Sequence, residues 1–243
     1  MRTLYIDLGN TRLKYWLIEG DQILASEAKE HLQAPSELLM GLAQDLKKLS
    51  ASRICVSSVL GPQSREEIAA VLKQLEAPFE FAQVLAKHPR LTTAYDPAQL
   101  GVDRWLQLLG ASCDQPQIVA GAGTALTIDI LDKRHHSGGF ITSGIRLTQQ
   151  ALRHGTRQIR TQTELPNLPL TQATSTSQAV ASGALLSAAG AISFCAASNP
   201  DHRIVLTGGD APILKQALRD HGLNAEVEPD LMLQGLKIYF SAP

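Results

Sequence analysis

Much that would mark a common function is missing from this chain. Its 243 residues include three cysteines, Cys55, Cys113 and Cys195. They are far apart and odd in number, which argues against a disulfide framework and predicts free thiols in a reducing cytosol. The seven histidines form no His-x-x-x-His pair and no Cys/His cluster, so a zinc site is not expected. His135-His136, among Lys133, Arg134 and Ser137, reads as a solvated turn. Aromatic residues make up 5% and form no stacking stripe, and the net charge is −1. Neither nucleic acid nor an anionic membrane is expected as a partner. No glycine is followed by lysine, which excludes a P-loop. Gly121-Ala122-Gly123 begins like a dinucleotide fingerprint, but Leu126 stands where its third glycine belongs and a β-rich run follows. The N-terminal apolar run is interrupted at once by Asp7, unlike a secretory signal. Charge is also absent from Ser177 to Pro200, a stretch long enough to span a bilayer. It is dominated by alanine and dotted with serine, and is read as a buried small-residue helix and not as a membrane span.

What is present is concentrated in two glycine turns. Asp7-Leu8-Gly9-Asn10-Thr11-Arg12-Leu13 follows the apolar run Leu4-Tyr5-Ile6 and leads into Tyr15-Trp16-Leu17-Ile18. The pattern predicts a hairpin whose turn carries a carboxylate, a glycine, an amide and a hydroxyl. Glycine lets backbone N–H groups approach a phosphate closely, and Asn and Thr supply neutral hydrogen bonds. A carboxylate is repelled by phosphate but suits the Mg²⁺ that accompanies a nucleotide. An ordinary hairpin with a polar turn would look similar. The run from Ile118 to Leu131 has the same outline around Gly123-Thr124, although Gly9 precedes Thr11 by two positions and Gly123 precedes Thr124 by one. Two such units about half the chain apart suggest a duplicated domain whose halves clasp a ligand.

The remaining periodicity fits a duplication. Three strands are predicted over 2–7, 13–19 and 22–27, then a helix at 38–49, a strand at 53–59, a helix at 64–75 and a strand at 79–84. An irregular stretch at 87–99 and a helix at 103–112 close the first half. The second repeats the order with strands near 117–121, 125–131 and 137–141, a helix at 147–152, a polar stretch at 155–175, the small-residue helix, a strand at 203–207, a helix at 211–220, a strand at 224–228 and a helix at 231–239. The expected domains are 1–115 and 116–243, each α/β. Asp103 stands where an irregular segment meets a helix. From the residues alone it is either an N-cap or a general base. Arg104 is either a surface ion-pair partner or a group that neutralises a substrate carboxylate.

The chain resembles type III pantothenate kinases, within the actin/hexokinase/Hsp70-like ATPase superfamily. The resemblance rests on Asp7-Leu8-Gly9-Asn10-Thr11, Gly101-Val102-Asp103-Arg104-Trp105, Gly123-Thr124-Ala125-Leu126-Thr127-Ile128-Asp129, Gly138-Gly139-Phe140-Ile141 with Ser143-Gly144, and Gly208-Gly209-Asp210-Ala211. It implies duplicated ribonuclease H-like (actin-like ATPase) domains with mixed sheets flanked by helices. It also implies phosphorylation of pantothenate by ATP, the first step towards coenzyme A, in a cytoplasmic homodimer with the pantothenate pocket near the subunit interface. Asp7, Leu8, Gly9, Asn10, Thr11, Arg12, Leu13 and Lys14 fall on the first phosphate loop, with Asp7 also on Mg²⁺, and Thr124 falls on the second. Asp103 matches the proposed general base. Gly101, Val102, Asp103, Arg104, Tyr95 and Thr176 match pantothenate contacts. Gly208 and Gly209 match the backbone packed against adenosine.

Three residues depart from the pattern. Gly121 stands where the family usually has an Asp associated with a monovalent cation, K⁺ or NH₄⁺. Ser143 replaces a usual Pro, and Ser175 a usual Asn. Two other readings remain: a kinase of the same superfamily acting on another small alcohol or sugar, and a non-catalytic regulatory relative. The second is expected to have lost Asp7 or Asp103, and both are present.

Overall fold

Leu4, Ile6 and Leu8 alternate along the first strand, and all three are fully buried. The computed structural model describes residues 1–30, 35–160, 166 and 168–241. Part of the polar stretch expected at 155–175 lies outside these. In chain order the elements are β1 (Arg2–Leu8), β2 (Arg12–Glu19), β3 (Gln22–Glu30), α1 (Pro35–Lys48), β4 (Arg53–Ser58), α2 (Pro62–Lys73), β5 (Phe79–Phe81), β6 (Lys87–His88), β7 (Leu91–Thr93) and α3 (Val102–Ala111). They continue with β8 (Gln117–Ala122), β9 (Ala125–Asp132), β10 (His135–Ser143), α4 (Ile145–Gly155), α5 (Thr176–Ser198), β11 (Arg203–Thr207), α6 (Ala211–Asp220), β12 (Ala225–Val227) and α7 (Leu231–Ser241).

The duplication is visible in the sheets. The first has the order β3-β2-β1-β4-β5. The second contains β10-β9-β8-β11-β12, the same order, and is extended past β10 by β7 and β6. The senses match as well. β1/β2 and β2/β3 are antiparallel, as are β8/β9 and β9/β10, whereas β1/β4, β4/β5, β8/β11 and β11/β12 are parallel. Mixed sheets flanked by helices are therefore present twice. The short strands β6 and β7 fall in the stretch expected to be irregular. Runs of two and three residues carry no readable alternation.

The chain forms two compact units that interleave in sequence. One comprises Met1–Leu85, Pro97–Gly110 and Met232–Pro243, the other Ala86–Asp96 and Ala111–Leu231. No single cut, at 115/116 or elsewhere, separates them. In the first unit, Leu39, Leu42 and Leu46 of α1 and Ile68 and Leu72 of α2 meet the apolar face of β1, β2 and β4. Each fully buried Leu or Ile contributes roughly 1.5–3 kcal/mol relative to exposure. Here α7 also lies against α3, where a Cβ on Gly235 would sit 1.9 Å from the Leu106 carbonyl oxygen. Only glycine permits that backbone approach.

In the second unit the uncharged α5 is a core helix. Its Ala184, Leu185, Ala188 and Ile192 are buried with Ile118, Ala120 and Leu126 of the sheet. It is also long and apolar enough to pass a length-and-composition test for a membrane span, the one helix among the described residues that does. The packed face explains the composition without lipid. Ser175 caps its N-terminus, accepting from the Gln178 N–H at 3.3 Å.

Candidate active site

The first glycine turn joins β1 to β2 in the first unit. The Gly9 N–H donates to the Arg12 carbonyl at 3.0 Å, which closes the turn around Asn10 and Thr11. In the second unit, Gly123 N–H donates to the Ala125 carbonyl at 3.0 Å. The second turn is one residue shorter, which accounts for the different glycine-to-threonine spacing. Leu8 and Leu13 flank the first turn with fully buried side chains, so only their backbone is open to a ligand. Arg12 is an arm of the sheet surface, paired with Glu30 at 2.6 Å. Lys14 stands opposite Asp7 in the β1/β2 register.

Asp7 is the unusual group. Its Oδ1 is buried and has no hydrogen-bond partner among the described residues. The fully buried Ser57 hydroxyl stands beside it at the same register on β4, near enough to favour the ionised carboxyl yet outside hydrogen-bond geometry. Burial raises the Asp7 carboxyl to about 6, and the charge of Asp103 adds to the rise, while Ser57 and Lys14 pull it down. The structure thus brings Asp7 and Asp103 within electrostatic reach of each other. A bare, desolvated carboxylate oxygen at a glycine turn fits a hard divalent cation, which takes one or two carboxylates from the protein and the rest of its ligands from phosphate and water. No cluster of three or more acidic, His or Cys residues occurs among the described residues, so the protein alone does not build a full metal cage.

Asp103 is not the N-cap. Gly101 holds that place, with its carbonyl accepting the Trp105 N–H at 3.0 Å, and Asp103 lies within the first turn of α3. Its Oδ1 accepts the Arg104 N–H at 2.8 Å. A carboxylate there is favoured by the N-terminal end of the helix dipole. A Cβ on Gly101 would sit 2.6 Å from Asp103 Oδ1, so the glycine leaves the carboxylate its room. Arg104 is not a surface residue, being only 4% exposed. A guanidinium withdrawn that far from water needs anionic or carbonyl partners. Val102 completes the segment, partly buried.

In the second unit, three segments meet at one end of β8. The Gly144 N–H donates to the Thr124 carbonyl at 2.9 Å, and the Asp210 N–H donates to the Ala122 carbonyl at 3.2 Å. Glycine is required at both contacts. A Cβ on Gly144 would lie 2.1 Å from the Gly123 carbonyl oxygen, and one on Gly208, at φ +99°, would lie 2.3 Å from that of Ala122. Gly209 follows, exposed. The helices starting here, α4 and α6, have no side-chain cap on their first N–H groups. At α6 the Ala211 N–H donates to the Gly208 carbonyl at 3.3 Å and Pro212 has no N–H, so the uncapped start of α4 beside the glycine–threonine turn is the end better suited to an anion. Thr176 lines a separate feature, a cavity of about 740 Å³ between α4 and α5 that Ser143 and Thr148 also line.

Tyr95 follows β7 in the same unit, and its ring stacks on His136 at 5.7 Å with planes 9° apart. His136 is fully buried in β10 and bonded to Asp129 at 2.9 Å. The expectation of a solvated turn at His135-His136 is therefore corrected. The turn lies two residues earlier, at Lys133 with φ +60°, and β10 begins at His135. Sequence reasoning passed over His136 because two adjacent polar residues resemble a turn, whereas in a strand they point to opposite faces.

The profile of the type III pantothenate kinase family matches residues 3–197. The chain belongs to this family. A type III pantothenate kinase of Psychrobacter cryohalolentis is 43% identical over 239 residues, covering 98% of this chain and 97% of that protein. One from Acinetobacter baumannii is 39% identical over 246 residues, covering 99% and 98%. Solved structures at lower identity share the fold. MreB5 of Spiroplasma citri bound to ADP has a TM-score of 0.57 at 9% identity, covering 98% of this chain and 95% of its own. The ethanolamine utilization protein EutJ of Carboxydothermus hydrogenoformans has a TM-score of 0.60 at 11% identity, covering 98% and 90%. The actin-like architecture expected for the family is thus the one observed.

Proposed function

We propose that this enzyme transfers the γ-phosphoryl group of ATP to the hydroxyl of pantothenate, giving 4'-phosphopantothenate and ADP at the start of coenzyme A synthesis. Family membership supports the reaction. The observation that carries the site is the buried, partnerless Asp7 oxygen held within electrostatic reach of Asp103. Asp103 accepts the proton of the pantothenate hydroxyl as its oxygen bonds to phosphorus and the bond from phosphorus to the ADP oxygen breaks. Arg104 draws the pantothenate carboxylate, with Tyr95, Gly101, Val102 and Thr176 as further contacts. Asp7 would hold Mg²⁺, which would supply neutralisation of charge on the transferring phosphates. The turn from Leu8 to Lys14, Thr124, and Gly208-Gly209 bind the nucleotide through backbone N–H groups and hydroxyls. The test is an ADP-release assay with ATP, Mg²⁺ and a panel of alcohols and sugars. Turnover on pantothenate far above the rest is expected, and equal or better turnover on a sugar would overturn the reading.

The monovalent cation is part of the same proposal. Gly121 lies on β8 between Thr127 and Thr207 and offers no charge. Asp129 is no substitute, since its Oδ1 is engaged by His136. A cage of carbonyls, hydroxyls and phosphates lacks the Coulomb attraction of a protein carboxylate. At most weak activation by K⁺ is expected when turnover is titrated in tetramethylammonium buffer, and Gly121→Asp should strengthen it. Saturation at low-millimolar K⁺ in the unsubstituted enzyme would contradict this.

We also propose a cytoplasmic homodimer. Phe194 and Leu186 on α5 are 71% and 58% exposed, and Phe140 and Ile141 on β10 are 58% and 63% exposed. Large apolar side chains left in water on two elements favour a covering partner. Light scattering at micromolar concentration should give twice the 26.2 kDa of one chain. A particle of single-chain mass would count against the dimer.

A further inference from the structure

The hydrogen bonds beneath Tyr95 form one continuous chain within the second unit. The Tyr95 N–H donates to Thr93 Oγ1 at 3.0 Å. Thr93 Oγ1 is 2.9 Å from His136 Nδ1, and His136 Nε2 is 2.9 Å from Asp129 Oδ1. A carboxylate only accepts, so Nε2 carries a proton. In the tautomer with Nε2–H alone, Nδ1 accepts a hydrogen bond from the Thr93 hydroxyl, and every link has one donor and one acceptor. The imidazole face carries the Tyr95 ring. Tyr95 is thus held twice, by its amide through Thr93 and by its ring on His136.

The sheet is shaped to build this. Thr93 and His136 are register partners in the parallel β7/β10 pair, and the Ala94 N–H donates to the His136 carbonyl at 2.9 Å. His136 is opposite Leu131, and a register shift between His136 and Gly138 brings Gly139 opposite Asp129. A Cβ on Gly139 would lie 2.6 Å from Asp129 Oδ1. The missing side chain leaves the carboxylate to the diagonal histidine. Asp129 and His136 are 2% and 0% exposed, so neither meets a ligand directly.

We infer that Asp129, His136 and Thr93 are positioning residues for Tyr95 and through it set the affinity for the pantothenate acceptor. This rests on Tyr95 being an acceptor contact, as proposed above. A preorganised ring loses less freedom on binding, so the effect falls on acceptor binding and not on the chemical step. Steady-state kinetics of His136→Gln, Thr93→Val, Tyr95→Ala and the double variant His136→Gln/Tyr95→Ala separate the two claims. His136→Gln and Thr93→Val should each raise KM for pantothenate about tenfold, with kcat and KM for ATP within about twofold. The double variant should be no worse than Tyr95→Ala alone. Additive effects, or an unchanged KM in His136→Gln where Tyr95→Ala raises it, would overturn the inference and spare the role of Tyr95. An unchanged KM in Tyr95→Ala would remove Tyr95 from the acceptor site, and the inference with it. One measurement needs no variant: histidine ¹⁵N NMR should show His136 protonated at Nε2 only, with shifts on adding pantothenate but not ATP. A protonated Nδ1, or no response to pantothenate, would also overturn it.

Discussion

Replacing Asp103 by asparagine should lower kcat roughly 100-fold or more while ATP still binds. Asn retains an oxygen able to accept the Arg104 N–H bond, so α3 should start as before and thermal stability should change little. What is lost is the basicity needed to take the hydroxyl proton. If the transition state is loose and the proton leaves late, the loss falls towards the lower end. Near-normal kcat would remove Asp103 from the mechanism. Gly101→Ala is the companion test. Its new methyl group would press on Asp103 Oδ1, the end of a flexible side chain, so the carboxylate should move at little cost in stability. A fall in kcat without a fall in Tm is expected, and the reverse pattern would give Gly101 a purely structural role.

Asp7→Asn should abolish productive use of Mg²⁺·ATP and, at neutral pH, make the ligand-free protein more stable. The folded carboxyl is raised to about 6 from an ordinary 3.8. A raised value means that the folded state holds the proton more tightly than the unfolded chain does. The associated stability is fully present below about pH 4 and is lost as pH rises through about 6. Above that, the ionised, desolvated carboxylate costs on the order of 3 kcal/mol, which asparagine avoids. The Tm gap between variant and parent should therefore be widest at pH 7–8 and close near pH 4. Adding Mg²⁺·ATP should raise the parent's Tm and leave the variant's nearly unchanged. Equal calorimetric affinity for Mg²⁺·ATP in both would refute the metal role. Mg²⁺ affinity in the parent should also weaken below about pH 6, as the proton competes for the same oxygen.

The duplication was legible because both copies begin with a glycine turn between strongly alternating strands, where the local signal is strong. The place of Asp103 was only half legible. Helix starts are read from polar residues, and here the cap is a glycine whose other task is to clear space for the carboxylate. His136 was misread because its partners lie on β9 and β7, and its inward direction follows from a strand start two residues earlier than the polarity suggests. Nothing in the sequence marks the Asp7 Oδ1 as buried without a hydrogen bond, since its surroundings include Ser57 of a parallel strand about fifty positions away. The make-up of the units was also hidden. The grouping of α7 with residues 1–85 and 97–110 is a contact over a separation that no periodicity encodes.

That grouping has a bearing on biosynthesis. Gly235 must seat against the backbone of Leu106, on the helix that bears Asp103, before the first unit has its full complement of packing. Residues 97–110 leave the ribosome more than a hundred residues before Gly235 does. At about 5–20 residues per second, the nascent chain spends some seconds with that face of α3 uncovered. Asp103, the proposed general base, then acquires its final surroundings only as translation of α7 is completed, so on that reading activity is a late event in the maturation of the polypeptide.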